Sequence, residues 1–235
     1  MESLEEQIGR LSEQSKTLQS LSLQLSKAIE QLSEQLQTLK KQQSTPAQPS
    51  KNSQPSPQSP GRTNPLKVDY FYQNDNASGQ GFRECFSSSC AMLAAYFGKV
   101  TSDDQYNKLR SKYGDTTSLS AQLRALRDIG LHPAYSQQGT VKDLEAEIDA
   151  GRPVAVGWLH KGTPTAPEGG GHWSVVVGYT PTHLILHDPN GEADLVWGGY
   201  VKHSGGAYIR YSRKNFLPRW EVEGPGTGWY LTVKP

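Results

Sequence analysis

The uneven distribution of core-forming side chains most strongly constrains the fold of this chain. All 11 Tyr, all 5 Trp, all 5 Phe, all 6 His and both Cys lie after residue 66. Only 34% of the 235 residues are hydrophobic, which is low for one compact domain of this length. The sequence therefore predicts one folded domain over residues 67–235, long enough to bury its own core, and a different organisation for residues 1–66.

Residues 1–41 carry a heptad repeat of leucines. The leucines are Leu4, Leu11, Leu18, Leu25, Leu32 and Leu39. The position four after each of the first five holds Ile8, Ser15, Ser22, Ile29 or Leu36. This pattern predicts a coiled-coil helix through which the chain self-associates as a dimer or a trimer. A single amphipathic helix lying on another protein or on the C-terminal domain is the alternative.

Residues 42–66 are predicted to be a linker. The segment has six prolines, many Ser and Gln residues, and Leu66 as its one large apolar side chain. It cannot bury enough apolar surface to fold. A disordered, semi-extended spacer between the stalk and the domain is therefore expected.

Charge and hydropathy exclude several classes of protein. The net charge of +1 gives no indication of nucleic-acid binding. No apolar segment approaches the roughly 18 residues of a membrane-spanning helix. The first twenty residues contain Glu, Gln and Ser throughout, so we expect no secretory signal. Two cysteines are too few for a disulfide scaffold.

The region after residue 66 is predicted to be an α+β domain, with N-terminal helices packed on an antiparallel sheet. Helical spacing predicts helices at 85–97, 102–113, 119–129 and 141–150, and a short helix after Ser212. Residues 68–73 are expected to be extended. Alternation and turn residues predict strands at 153–159, 172–179, 183–187, 194–197 and 230–233.

Cys85 is the candidate nucleophile because it begins the first predicted helix. Free N–H groups and a partial positive charge at a helix N-terminus favour a thiolate. Cys90 lies further inside the helix and is interpreted as a small buried side chain. Polar neighbours, from Arg83 to Ser89, suit a cleft around Cys85.

A cysteine nucleophile needs a base and a residue that orients the base. His172 follows three glycines and opens an apolar strand, and Asp188 ends the next one. A hairpin that turns near residues 181–182 would bring Asp188 beside His172. The three residue types together indicate thiol chemistry more strongly than any of them does alone.

These segments resemble the papain-like peptidases related to the double-glycine leader (bacteriocin-processing) peptidases. The resemblance rests on Gln73-Asn-Asp-Asn, on Cys85 to Gly98, and on the segments that contain His172 and Asp188. It implies a papain-like fold with Cys85 as nucleophile, His172 as general base and acid, and Asp188 as its orienting group. It also implies that Gln73 and the Cys85 backbone N–H form the oxyanion hole. No cofactor is expected.

The sequence departs from this family at two positions. Phe86 stands where a glycine often follows the cysteine, and its bulk is expected to narrow the cleft. Gln73 has the matching sequence context but lies twelve residues before Cys85, whereas Gln80 lies five before it. Gln73 is favoured, and Gln80 stays open as the oxyanion-hole donor.

Other candidate sites are weaker. His183, His187 and Asp188 have a metal-like spacing, but no fourth ligand is evident. Trp220, Trp229 and Tyr230 are interpreted as core residues rather than as a carbohydrate platform.

Three functions remain from the sequence. The first is a thiol hydrolase that cuts a peptide or amide bond, displayed on a coiled-coil stalk. The second is a peptidoglycan amidase or endopeptidase that uses the same triad. The third is a non-enzymatic binding component with a peptidase-like domain. The order of stalk, linker and domain suits a part that docks by its N-terminus on a larger assembly, such as a phage particle or a surface complex.

Overall fold

The computed structural model of this protein describes residues 64–235. The predicted coiled coil and most of the predicted linker lie outside the described residues. Asn64, the first described residue, already packs on the domain, three residues before the predicted start at residue 67. The Asn64 side chain pairs with the backbone of Tyr179. The Leu66 N–H donates to the Val177 carbonyl at 2.7 Å, and its side chain is buried.

The domain consists of five helices and ten strands within the described range. The helices are α1 Cys85–Tyr96, α2 Asp103–Arg110, α3 Leu119–Asp128, α4 Val141–Asp149 and α5 Arg213–Trp220. The strands are β1 His132–Gly139, β2 Val154–Trp158, β3 Lys161–Thr163, β4 Ala166–Glu168, β5 His172–Tyr179, β6 His183–His187, β7 Glu192–Ala193, β8 Tyr200–Lys202, β9 Ile209–Ser212 and β10 Gly228–Lys234. The predicted α+β class is confirmed.

The main sheet has six antiparallel strands in the order β1-β10-β2-β5-β6-β9. The pairs β3–β4 and β7–β8 form two small additional sheets. Helix α1 packs on β5 and β2, and Cys90, Met92 and Leu93 of α1 are fully buried in the core. This packing holds the first turn of α1 against the sheet strand that begins with His172.

Local signals in the sequence explain where the helices begin and end. The Thr140 side chain and Asp143 form a capping box at the start of α4, and Ser102 and Ser118 cap α2 and α3. Gly98 follows α1 with a φ of 70°, a left-handed conformation that glycine adopts without steric cost.

The predicted strand at 194–197 is wrong. The Asp194 carboxylate accepts hydrogen bonds from the N–H groups of Val196 and Trp197 at 2.8 and 3.0 Å, which makes this segment a turn. The prediction also missed β1 and β9. Both are edge strands of the main sheet, and β1 carries Pro133 and several polar residues, which removes the alternation expected of a buried strand. The segment 68–73 is extended up to Tyr72 but pairs with no strand in the described part of the chain.

Candidate active site

Cys85 is the first residue of α1 and is partly exposed. Two 3-10 turns, Gln73–Asp75 and Gly81–Arg83, precede it. Buried Glu84 fixes this approach, because its Oε2 accepts hydrogen bonds from Asn76 Nδ2 at 2.7 Å and from Ser78 Oγ at 2.9 Å. The N–H groups of the first helical turn lack intrahelical acceptors, so they are free to stabilise negative charge at Cys85.

Cys90 is fully buried in the core. Burial raises the pKa of its thiol well above the usual range. A thiol that stays protonated and lies out of reach of solvent is a poor nucleophile. The structure therefore agrees with the interpretation of Cys90 as a packing residue.

The hairpin of β5 and β6 brings His172 and Asp188 together. β5 ends at Tyr179 and β6 begins at His183, so the turn lies where the sequence predicted it. His172 Nε2 lies 2.7 Å from Asp188 Oδ1, and both side chains are buried. A carboxylate only accepts hydrogen bonds, so Nε2 carries the hydrogen and Nδ1 is left for a second partner.

Three donors besides His172 hold the Asp188 carboxylate. Besides His172, its Oδ1 accepts from the Asn190 N–H at 3.0 Å and from the Tyr200 hydroxyl at 3.4 Å. Its Oδ2 accepts from the Tyr211 hydroxyl at 3.0 Å. These donors replace hydration, which allows a fully buried charge to persist.

The surroundings of His172 favour its protonated form. Burial opposes the charge, but the negative charge and hydrogen bond of Asp188 outweigh it, and interaction with the Cys85 thiol adds to the effect. The pKa of His172 rises from 6.5 to about 10. Because Cys85 contributes to this rise in the pKa of His172, the two side chains lie near each other.

Three rings surround the His172 imidazole. Trp158 and Tyr200 pack edge-on, with ring centroids 5.4 and 5.7 Å away. His160 lies 5.8 Å away. Burial and the neighbouring His172 lower the pKa of His160 to about 4, so this second imidazole is neutral at neutral pH. The rings restrict His172 to one orientation.

Phe86 and Trp173 connect the two halves of the site. Phe86 follows Cys85 and Trp173 follows His172, and their rings stack with centroids 3.9 Å apart and planes 11° from parallel. Phe86 is 4% exposed. The stack fixes the start of α1 to the start of β5.

A cavity of about 330 Å³ opens beside Cys85 and His172. Its wall includes residues of β2, the glycines before β5, and the segment from Trp220 to Trp229. Cys85 and His172, the candidate nucleophile and base, thus face a space large enough for a part of a substrate.

Gln73 is buried just before α1. Its Nε2 donates to the Gly81 carbonyl at 2.8 Å, and its Oε1 has no hydrogen-bond partner within the described residues. A side chain on Gly81 would collide with the Gln73 backbone, so glycine allows this close approach. Gln73 is not part of the described cavity wall, and Gln80 is exposed in a turn.

The metal-like histidines serve other roles. His187 is buried between the Val68 carbonyl, 2.9 Å from its Nε2, and the Tyr208 N–H, 3.0 Å from its Nδ1. His183 contacts Thr182. Across residues 64–235, no three His, Cys, Asp or Glu side chains are grouped to hold a metal ion. No helix in the same range is long and apolar enough to cross a membrane.

Sequence reasoning missed most of the residues around the triad. Asn190 had a signal, since Asp-Pro-Asn-Gly is a turn sequence in which an Asp side chain accepts a backbone N–H two residues on. Tyr200 and Tyr211 had none, because they reach Asp188 from β8 and β9. Trp229 was interpreted as a core residue, but it is 44% exposed and borders the cavity.

Several solved structures are similar to this domain. The putative C39-like peptidase from Bacillus anthracis has a similar structure, with 15% identity, a TM-score of 0.52, and coverage of 74% of this chain and 98% of that chain. The peptidase domain of Streptococcus ComA, a bi-functional ABC transporter involved in quorum sensing, is 20% identical at a TM-score of 0.48, covering 72% of this chain and 98% of that one. A double glycine motif protease from an AMS/PCAT transporter, solved with its leader peptide, is 20% identical at 0.45, covering 73% and 94%.

At the sequence level, no curated protein shows significant similarity to the chain. The profile described as "Peptidase_C39 like family" matches residues 65–224, which is more than half of the chain. The predicted papain-like α+β fold and the suspected family are thereby confirmed. The chain belongs to the Peptidase_C39 like family, and its domain is of the cysteine peptidase type, a hydrolase.

Proposed function

We propose that this domain hydrolyses peptide bonds with Cys85 as nucleophile, His172 as acid and base, and Asp188 as the group that orients His172. The proposal rests on the 2.7 Å contact between His172 and Asp188 and on a cavity wall that Cys85 and His172 share. His172 Nε2 donates its hydrogen to the Asp188 carboxylate, so Nδ1 is the nitrogen that exchanges a proton with the Cys85 sulfur.

The reaction would run through a thioester. The Cys85 thiolate attacks the carbonyl carbon, and His172 Nδ1–H then protonates the leaving amine as the C–N bond breaks. Neutral His172 next takes a proton from water, and the resulting hydroxide attacks the thioester. The C–S bond breaks, the carboxylic acid leaves, and the thiolate and imidazolium are restored.

The oxyanion would be stabilised by the backbone N–H of Cys85 and by Gln73. Gln73 Nε2 has two hydrogens, and the Gly81 carbonyl takes one of them. The second would serve the oxyanion. Because the Gln73 side chain is buried, its amide is held in place before the substrate binds. Donors that are preorganised in this way stabilise an oxyanion effectively. Gln73→Ala is expected to lower kcat by about 100-fold or more.

Thiol labelling tests the assignment of the nucleophile. Cys85→Ala should abolish labelling by iodoacetamide at neutral pH and all hydrolysis, whereas Cys90→Ala, the matched control, should retain both. His172→Ala should slow the labelling of Cys85. Slow and equal labelling of both cysteines, unchanged by His172→Ala, would refute the hydrolase function. It would favour a non-enzymatic binding component instead.

The kind of amide bond is tested with two substrates. Purified cell wall and an unfolded protein should be incubated separately with the full chain, with Cys85→Ala as a control. Cleavage of protein alone supports the peptidase. Release of stem peptides from cell wall alone would favour the peptidoglycan amidase or endopeptidase.

We also propose that the domain is displayed on a stalk formed by residues 1–41. The leucine repeat from Leu4 to Leu39 supports this. An oligomeric stalk would present two or three active sites, an arrangement that suits docking of the N-terminus on a larger assembly. Sedimentation of the full chain as a monomer at micromolar concentration would refute the stalk.

A further inference from the structure

The cavity beside Cys85 is lined mainly by large apolar side chains. Besides Phe86 next to the nucleophile, the apolar lining comprises Trp158, Leu159, Trp173, Trp220, Val222 and Trp229. Two of these are exposed in spite of their size, Trp229 at 44% and Val222 at 47%. Exposed apolar side chains that converge on a concave surface indicate a binding site for an apolar group.

The sheet register explains how this surface is built. Trp229 of β10 pairs with Gly157 of β2, and Gly157 pairs with Trp173 of β5. Directly paired residues of antiparallel strands project to the same face. Trp229 and Trp173 therefore flank Gly157, which has no side chain. The Trp173 ring lies so close over Gly157 that a Cβ there would come within 3.0 Å of the indole.

The charged residues at the cavity do not suit a charged substrate side chain. Arg83 is already paired with Asp115 at 2.9 Å. Glu223 lies on the exposed segment between α5 and β10, where water weakens its attraction for a cation. Neither Arg83 nor Glu223 therefore offers a buried, unpaired charge to a substrate.

We infer that this cavity is the subsite for one bulky apolar side chain, such as Phe, Trp, Leu or Met, within two residues of the scissile bond. Its volume of about 330 Å³ is near the lower end of ligand cavities, roughly 300–1,000 Å³, and fits about one such side chain with its backbone. The inference rests on the proposed function, since it assumes that the peptide carbonyl sits at Cys85.

Cleavage-site sequencing tests the preference. The full chain is incubated with a peptide library of known composition, and the products are sequenced by mass spectrometry. Enrichment of Phe, Trp, Leu or Met at one position within two residues of the cut supports the inference. Enrichment of glycine on the N-terminal side of the cut, or of charged residues, without a bulky apolar preference overturns it.

Binding to an inactive chain separates this inference from the hydrolysis itself. Full-length Cys85→Ala is titrated with pairs of peptides that differ only by Phe or Gly at one position. Tighter binding of the Phe peptide without any cleavage by the wild type would retain the subsite and overturn the hydrolysis. Equal binding of both peptides at every position would overturn the subsite.

Two tryptophan variants localise the effect. Trp229→Ala should lower kcat/KM for the preferred bulky peptide by roughly tenfold or more, mainly through KM. The fold should survive, since the Trp229 contact with Trp220 uses its backbone carbonyl. Trp197→Ala is the matched control, because Trp197 is 75% exposed and lies outside the cavity wall. Equal losses in both variants, or none in Trp229→Ala, would contradict the assignment.

Discussion

The proton on His172 is expected to contribute to the stability of the fold. The folded-state pKa is raised from 6.5 to about 10. A raised pKa stabilises the fold fully below pH 6.5, and the contribution is lost as pH rises through 10. Each unit of pKa change corresponds to about 1.4 kcal/mol, so the proton on His172 contributes roughly 5 kcal/mol to the free energy of unfolding. About 3 kcal/mol of this contribution is lost between pH 6.5 and 9.

Asp188→Asn removes the negative charge that raises the pKa of His172 against the lowering effect of burial. Burial then acts alone and lowers the pKa of His172 below 6.5, so the variant should show no decline in stability between pH 6.5 and 9. Near neutral pH, removing one partner of a buried ion pair should cost about 3–5 kcal/mol. Both proteins should carry Cys85→Ala, so that titration of the thiol does not contribute.

Urea unfolding followed by tryptophan fluorescence measures this difference. All 5 Trp lie after residue 66, so the signal reports on the domain and not on the stalk. In the Cys85→Ala background the free energy of unfolding should fall by about 2–3 kcal/mol from pH 6.5 to 9, because Asp188, the larger favourable influence, remains. Parallel curves for the two proteins would show that Asp188 does not hold the proton on His172.

Three other outcomes are expected. Phe86→Ala should lower the free energy of unfolding by about 3–5 kcal/mol. It should also slow hydrolysis, because the stack with Trp173 is lost. Full activity in this variant would refute the positioning role of the stack. Cys90→Ala should cost about 1–2 kcal/mol in urea unfolding, and a loss of hydrolysis at unchanged stability would contradict its role as a packing residue. The double variant Leu18→Ala, Leu25→Ala should sediment as a monomer, since each leucine contributes roughly 2–5 kcal/mol to a packed seam; persistence of the oligomer would locate self-association elsewhere.

The parts of the site that follow from local patterns were predictable. The bounds of β5 and β6 match the predicted ranges because alternation and turn residues mark them clearly. The start of α1 at Cys85 was also predicted. These three elements suffice to bring Cys85, His172 and Asp188 together.

The parts that depend on distant segments were not predictable. Tyr211 donates to Asp188 from β9, a four-residue edge strand, and Tyr200 comes from β8, which has three residues. Strands this short carry too little alternation to identify their register. Which buried carboxylate a tyrosine satisfies is decided by tertiary packing rather than by sequence spacing.

Phe86 shows how one departure from the family is accommodated. A residue of this size after Cys85 was expected to narrow the cleft. Its ring is buried against Trp173 and also lines the cavity. The position of Trp173 depends in turn on Gly157, where any side chain would press on the indole. Cys85 and His172 lie on different elements, α1 and β5, so their separation is set by packing between those elements. Phe86, Trp173 and Gly157 form part of that packing, and Gly157→Ala should therefore change the separation of Cys85 and His172 without altering either residue.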